Sequence, residues 1–310
     1  MYDECHIIPL ISPRVPFMHA FSELLQIIRL NVSVYHNAMV CGNWRIDETE
    51  LGVTCFHMVT IGSCRLDVPG HLNRILSVGD LVIFPKEIAH SMEPLNALQG
   101  SQLHTPYCDI SAGEGTGMLC GSVRFQHRAS NQLLAALPPV FIISNNEACD
   151  WLNPIVGLIV NESLKGDAAA NVIIDRLAEL LFMHALRHFI ATNPNQLGVM
   201  ALYKHPKLSS AINAFHKQPS NVWTLDSLAK CAAQSRTQFS KKFREVSGWT
   251  PMEYVTWWRM QLAWAALKQG DSVSTTAGKI GYQSESSFLR AFKTTFDISA
   301  GQVRRMDHHG

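Results

Sequence analysis

Two short sets of polar side chains are spaced to meet a common surface. Arg236, Thr237, Ser240 and Lys241 form one set, and Glu285, Ser286 and Arg290 form the other. On a helix, residues three or four apart share a face. Each set would then present guanidinium, ammonium, hydroxyl or carboxylate groups together. These are the groups that hydrogen-bond to base edges and phosphates in a DNA groove. Arginine suits guanine and glutamate accepts from cytosine, so Arg290 and Glu285 are expected to read those bases.

The elements that would hold these sets are written twice in the chain. Leu225, Leu228, Ala229, Ser235, Phe239 and Phe243 make one copy; Val273, Thr276, Ala277, Ser284, Phe288 and Phe292 make the other. From alanine to second aromatic is 14 residues in the first copy and 15 in the second, the extra residue falling in the turn. A small alanine lets two helices cross closely, a serine caps the second helix, and aromatics at i and i+4 bury its inner face. Between the copies, Thr250 to Lys268 opens with the Thr-Pro start signal and stops before Gly270. A helix of that length spans about 28 Å, close to the roughly 34 Å of one DNA turn. One polypeptide would thus reach two successive major-groove segments. Arg259 in this helix reads either as a brace or as a snorkelling surface side chain.

Charge divides the chain in the same way. Residues 205–310 carry 14 Lys or Arg against 7 Asp or Glu, while residues 1–204 carry 12 against 18. The near-neutral total of +1 hides a basic module joined to an acidic one, and a basic module is the footprint of a phosphate-backbone binder. No apolar run approaches the length of a membrane span. Residues 1–20 hold Asp3, Glu4 and three prolines, which is wrong for a signal peptide. They read as a disordered extension, with Met18 an alternative start, and the expected compartment is the cytoplasm. The 8 cysteines contain no CxxC, so reduced thiols are expected rather than disulfides.

The run TLDSLAKCAAQSRTQFSKKFREVSGWTPMEYVTWWRMQLAWAALKQG, followed by GYQSESSFLRAF, resembles the DNA-binding domain of AraC-type transcription regulators. The resemblance implies an all-α domain over 205–306 with two helix-turn-helix units. The chain departs from the pattern at Ala233, where a glycine is usual in the first turn, and at Thr276 and Gly278, where aliphatic residues are usual. Asp297 and Ala300 replace a usual Gly and Pro.

The N-terminal part reads as β. After a helix around Phe21 to Leu30, strands are expected at Trp44–Ile46, Val53–Ile61, Cys64–Val68, Arg74–Leu76 and Leu81–Phe84, with turns at Pro69-Gly70, Gly79-Asp80 and Pro85. The segment GDLVIFPKEIAH resembles the second cupin motif, with Glu87 where a Gly is usual, and His57 stands like the first histidine of the first motif. That motif's second histidine is replaced by Val59, and its glutamate has no convincing match. The later MLCGSVRF, ALPPVF and RLAELLFMHALRHF follow the order of cupin-type AraC regulators, some of which are redox sensors. The expected architecture is therefore α+β in two domains. It comprises a cupin-like sensor barrel over 21–150, a helical dimerisation and linker region over 151–204, and the double helix-turn-helix domain.

The resemblance makes His57 and His90 inward-pointing, with Cys41 and Cys120 on nearby segments. Two imidazoles and two thiols would suit tetrahedral zinc. The competing readings are a redox pair Cys41 and Cys120, plain core packing, or an organic-ligand pocket. A cupin-type metalloenzyme fused to a DNA-binding domain is the alternative from another class. It lacks the second histidine and the glutamate, and two histidines leave a poor catalytic metal site, so no catalytic residue is assigned. The chain is expected to be a DNA-binding regulator, an activator by resemblance. It would act as a homodimer on double-stranded DNA, with RNA polymerase as partner, under a small-molecule, metal or oxidant effector.

Overall fold

The computed structural model describes residues 30–48, 53–86, 88–96, 101–105, 115–125, 134, 137–193 and 198–305. The extension over 1–20, the helix expected over 21–29 and the middle of the linker, 194–197, lie outside the described residues. Contacts divide the described residues into two compact units, one within 28–196 and one within 197–310.

Among the described residues of the first unit, ten strands form two antiparallel sheets. They are β1 (Leu30–Cys41), β2 (Ile46–Glu48), β3 (Thr54–Ile61), β4 (Ser63–Val68), β5 (Leu72–Ser77), β6 (Leu81–Phe84), β7 (His90–Glu93), β8 (Leu103–Thr105), β9 (Gly115–Phe125) and β10 (Phe141–Ile143). One sheet has the order β10-β6-β3-β9-β1-β8 and the other β2-β7-β4-β5. Alternation along the strands sends side chains to two cores. Val40, Cys55, Val59, Leu66, Val82, Phe84, Met118 and Cys120 fill the space between the sheets. Phe56, Met58, Leu119 and Val123 face the other way, onto Ile159, Leu181 and Phe182 of two helices.

Those helices are α1 (Asn145–Lys165) and α2 (Ala170–Thr192). The helical region expected over 151–204 thus starts earlier, at Asn145, and is broken where Gly166 closes α1 with φ 60°. The Gly79-Asp80 turn of the motif sets the start of α1. Asp80 accepts from Ser77 N at 3.0 Å and from Asn145 N at 3.1 Å, and a Cβ on Gly79 would lie 2.6 Å from Asn145 Cγ.

The second unit is all helix: α3 (Val199–Lys204), α4 (Leu208–Lys217), α5 (Leu225–Cys231), α6 (Arg236–Ser247), α7 (Pro251–Lys268), α8 (Val273–Lys279), α9 (Glu285–Phe296) and α10 (Ala300–Arg305). The caps are those the sequence announces. Thr224 and Thr250 form capping boxes, and Ser235, Ser272 and Ser284 each accept from the backbone three residues on. Each such cap contributes about 1 kcal/mol. Phe239, Phe243, Phe288 and Phe292 are fully buried, and Ala229 and Ala277 are buried as well.

Candidate nucleic-acid interface and sensor interior

The two turns of the second unit superpose residue by residue in their hydrogen bonding. Ala233 N donates to Lys230 O and Gln234 N to Ala229 O; Gly281 N donates to Gly278 O and Tyr282 N to Ala277 O. Gly281 has φ 83°, and Ala233 is forced into the same left-handed region at 49°. The departure noted at Ala233 therefore leaves the turn intact, with a strained alanine. Thr276, another of the departures, is fully buried.

Burying the phenylalanines turns the opposite faces of α6 and α9 to solvent. Arg236, Thr237 and Lys241 are exposed and Ser240 is half-buried; Glu285, Ser286 and Arg290 are exposed. Arg236 stands 3.9 Å from Asp226, and Lys241 stands 4.0 Å from Glu245. Pairs this exposed contribute little, so both cations are available to an anionic partner. Leu289, also exposed on the α9 surface, was missed by sequence reasoning. An apolar residue one position before Arg290 carries no polar signal, yet such a side chain suits a thymine methyl. Arg259 is a brace. Its Nε donates to Pro219 O at 2.9 Å and an Nη to Asn221 O at 2.7 Å.

In the first unit, strand register decides which sensor residues meet. Cys120 on β9 pairs with His57 on β3 and with His36 on β1, so His36, Cys120 and His57 form one row across three strands. His90 reaches this row from the facing sheet, with its Nε2 3.1 Å from His57 Nε2. Cys55, two residues from His57 on the same face, places its Sγ 4.0 Å from that nitrogen. His36 and Cys55 were both missed. Period 2 from His57 would have found Cys55, whereas His36 follows a register shift between Val34 and His36 that no local pattern announces.

The expected set of Cys41, His57, His90 and Cys120 is not assembled. Cys41 pairs with Gly115, five residues along both strands from the His36–Cys120 pair, which is roughly 16 Å at 3.3 Å per residue. It is also one residue out of phase with Val40, which faces the interior, so it points to the opposite side of the sheet. Its Sγ lies 3.9 Å from Thr105 Oγ1 instead. Among the described residues no three His, Cys, Asp or Glu side chains gather to hold a metal. The residues present do not fit the zinc site. The same separation rules out a Cys41–Cys120 disulfide, which needs Cα atoms within about 7 Å. Cys64, deeper in the same core, has its thiol pushed up to about 12 by burial and by Asp80.

The electrostatics of the row follow from its burial. Ile88 O can only accept, so His90 Nδ1, 2.8 Å away, donates to it. A neutral His90 then offers Nε2 as acceptor, and His57 donates across the 3.1 Å contact. His57 Nδ1 is left bare, and it has no hydrogen-bond partner; nor does His36 Nε2. Burial first, then the neighbouring His90 and His36, lower the His57 pKa from 6.5 to about 3. Burial and His104 lower that of His36.

Known proteins resemble both units. A cupin family model matches residues 19–191 and a helix-turn-helix domain model matches residues 228–306. An uncharacterized HTH-type transcriptional regulator of Haemophilus influenzae is 31% identical over 276 residues, covering 85% of this chain and 91% of that protein. The RCS-specific HTH-type transcriptional activator RclR of Escherichia coli is 28% identical over 292 residues, covering 93% of this chain and 97% of its own length. Among solved structures, ToxT from Vibrio cholerae aligns over 91% of this chain and 99% of its own, at 12% identity and a TM-score of 0.38. The relatives are named as transcriptional regulators. No helix among the described residues is long and apolar enough to cross a membrane.

Proposed function

We propose, from the premise that this chain belongs to the AraC-type transcription regulators with an N-terminal cupin domain, a division of labour between its two units. The chain is a DNA-binding regulator. In our reading the specific contacts are made by Arg236, Thr237, Ser240 and Lys241 of α6 and by Glu285, Ser286 and Arg290 of α9. The observation that carries this is the pair of recognition helices themselves. Each is serine-capped and anchored by two buried phenylalanines, with these polar groups left facing solvent. Base contacts from both helices give the specificity, and the basic balance of the domain supplies the affinity for the phosphate backbone.

The cupin unit receives the signal between its sheets. Two buried imidazole nitrogens without partners, His36 Nε2 and His57 Nδ1, support this reading. An unsatisfied buried polar atom costs about 1–3 kcal/mol, and a ligand supplying the missing hydrogen bonds would recover it. Cys120 lies within the same row and Cys55 beside it, and one relative is an RCS-specific activator. Both favour an oxidant as the signal, acting on these thiols without metal. The exposed apolar residues Leu158, Ile173 and Leu180 of α1 and α2 join two copies. The regulator activates transcription through RNA polymerase in the cytoplasm. It is not an enzyme in this reading, because the cupin row offers hydrogen bonding and thiols rather than a metal-binding set.

The test uses DNA selected by the full-length protein from a random library, with affinity measured before and after hypochlorite. The expected result is two protected segments about one helical turn apart, and an oxidant-dependent affinity that Cys120→Ser abolishes and Cys41→Ser retains. A single protected segment would sink the DNA-reading proposal. An oxidant response lost equally in both variants, or absent in the wild type, would sink the signal proposal.

A further inference from the structure

The two helix-turn-helix units are linked in sequence by α7, but a second connection runs through space. The loop between α4 and α5 is tied to itself. Asn221 N donates to Gln218 O at 3.2 Å, Trp223 Nε1 donates to the same carbonyl at 2.8 Å, and the Asn221 side chain meets that of Gln218 at 2.6 Å. Three successive carbonyls on this loop are then claimed by other elements. Those of Pro219 and Asn221 accept from the guanidinium of Arg259 on α7, at 2.9 and 2.7 Å. That of Ser220 abuts Gly281, in the turn of the other helix-turn-helix unit. A Cβ there would stand 2.3 Å from Ser220 O and 2.8 Å from its carbonyl carbon.

The placement along the chain gives this contact its meaning. Thr224, the N-cap of α5, opens the first unit three residues after Asn221. Ser284, the N-cap of recognition helix α9, follows Gly281 by three residues. The lead-in of one reading head is therefore pressed against the lead-in of the other. Tyr282, next to Gly281, is half-buried and feels the charge of Arg259, so the guanidinium lies close to the same turn. Arginine fits here because its planar fork offers two donors at fixed spacing to two carbonyls two residues apart, which a lysine ammonium cannot match. Glycine fits at 281 for two reasons: φ is 83°, and no side chain can stand between the loop and the turn.

We infer that Arg259, the carbonyls of Pro219 to Asn221 and Gly281 form a clasp that fixes the register of the two reading heads. Arg259 and Gly281 act as positioning residues for simultaneous binding of two groove segments. This rests on the two-segment reading above. A single helix leaves its two ends free to twist and bend under load, and the clasp closes that linkage into a ring. Rigid presentation of both heads is what allows binding to discriminate segment spacing, because each misplaced base pair rotates one segment by about 34° relative to the other.

The experiment uses the full-length protein and the selected duplexes, together with versions carrying five extra base pairs between the two protected segments. Wild type should lose at least about a hundredfold in affinity on insertion, as expected when half a turn separates rigid heads. Arg259→Met keeps the stem and removes both donors. It should bind the native spacing about tenfold more weakly and lose less than about threefold on insertion, with an unchanged circular dichroism spectrum. Gly281→Ala, which pushes the loop away from the other side, should flatten spacing preference in the same way, and Arg259→Lys should fall between. Full spacing discrimination in Arg259→Met would overturn the clasp, as would loss of protection confined to one segment, the mark of a purely local role. If Arg259→Met fails to fold, Arg259→Lys and Gly281→Ala decide by the same ratio. One protected segment in the wild type would instead overturn the two-segment reading, and the clasp with it.

Discussion

His57 and His90, 33 residues apart in sequence and on facing sheets, approach through their Nε2 atoms at 3.1 Å inside the cupin unit. Phe84 packs flat against His90, with ring centroids 4.1 Å apart, so the pair sits in an apolar setting. A hydrogen bond between two imidazoles requires one of them to lend a lone pair, so the pair is incompatible with two protonated rings.

This gives a pH dependence with a definite sign. Burial holds the folded pKa of His57 at about 3, well below the ordinary 6.5 of an imidazole. A depressed histidine contributes stability fully above the unfolded pKa and loses it as pH falls toward the folded value. Between about pH 6.5 and 3 the unfolded chain binds the extra proton, so stability should fall by up to about 1.4 kcal/mol per pH unit from this group. Urea unfolding at pH 7.5 and 5.5 should show a larger acid loss for wild type than for His57→Met. Equal losses would remove His57 as the cause.

On the DNA side, Arg290 is exposed on α9. Arg290→Ala should cost about 1–3 kcal/mol on the selected site and relax preference at one base pair. Competition binding against single-base variants of the site measures both effects. The same loss on specific and random duplex would make Arg290 a phosphate contact.

Ala233 carries φ 49° where the duplicate turn has Gly281 at 83°. Ala233→Gly should stabilise the second unit by up to about 1 kcal/mol. It relieves left-handed strain, and the gain is partly offset by the extra freedom of unfolded glycine. Thermal unfolding reads this out, and a destabilised variant would show the turn to be unstrained.

Ile173 and Leu180, seven residues apart on α2, are exposed along one helix face, and Leu158 is exposed on α1. If this face joins two copies, Leu180→Glu should shift sedimentation from dimer to monomer and weaken operator binding while the cupin unit stays folded. An unchanged dimer would move the interface elsewhere.

The sequence alone determined the second unit almost completely. Its information there is local: a cap, a small crossing residue and two aromatics within 15 residues define a helix-turn-helix, and the chain states the set twice. Helical hydrogen bonds close within four residues, so caps and periodicity suffice to place α5 to α9 and to turn Arg236 and Arg290 outward. Strands β3, β4 and β6 were legible as short runs bounded by turn residues, which is also local information. What pairs with what was not. β1 and β9 lie about eighty residues apart, and whether Cys41 or His36 meets Cys120 depends on their register and on one irregularity between Val34 and His36. A one-residue change in phase exchanges the two faces of a strand. Arg259 poses the same problem in the helical unit, since its partners at Pro219 and Asn221 lie 40 and 38 residues away. Brace and snorkel were equal from sequence, because the choice between them is made by a loop that only the packed fold brings within reach.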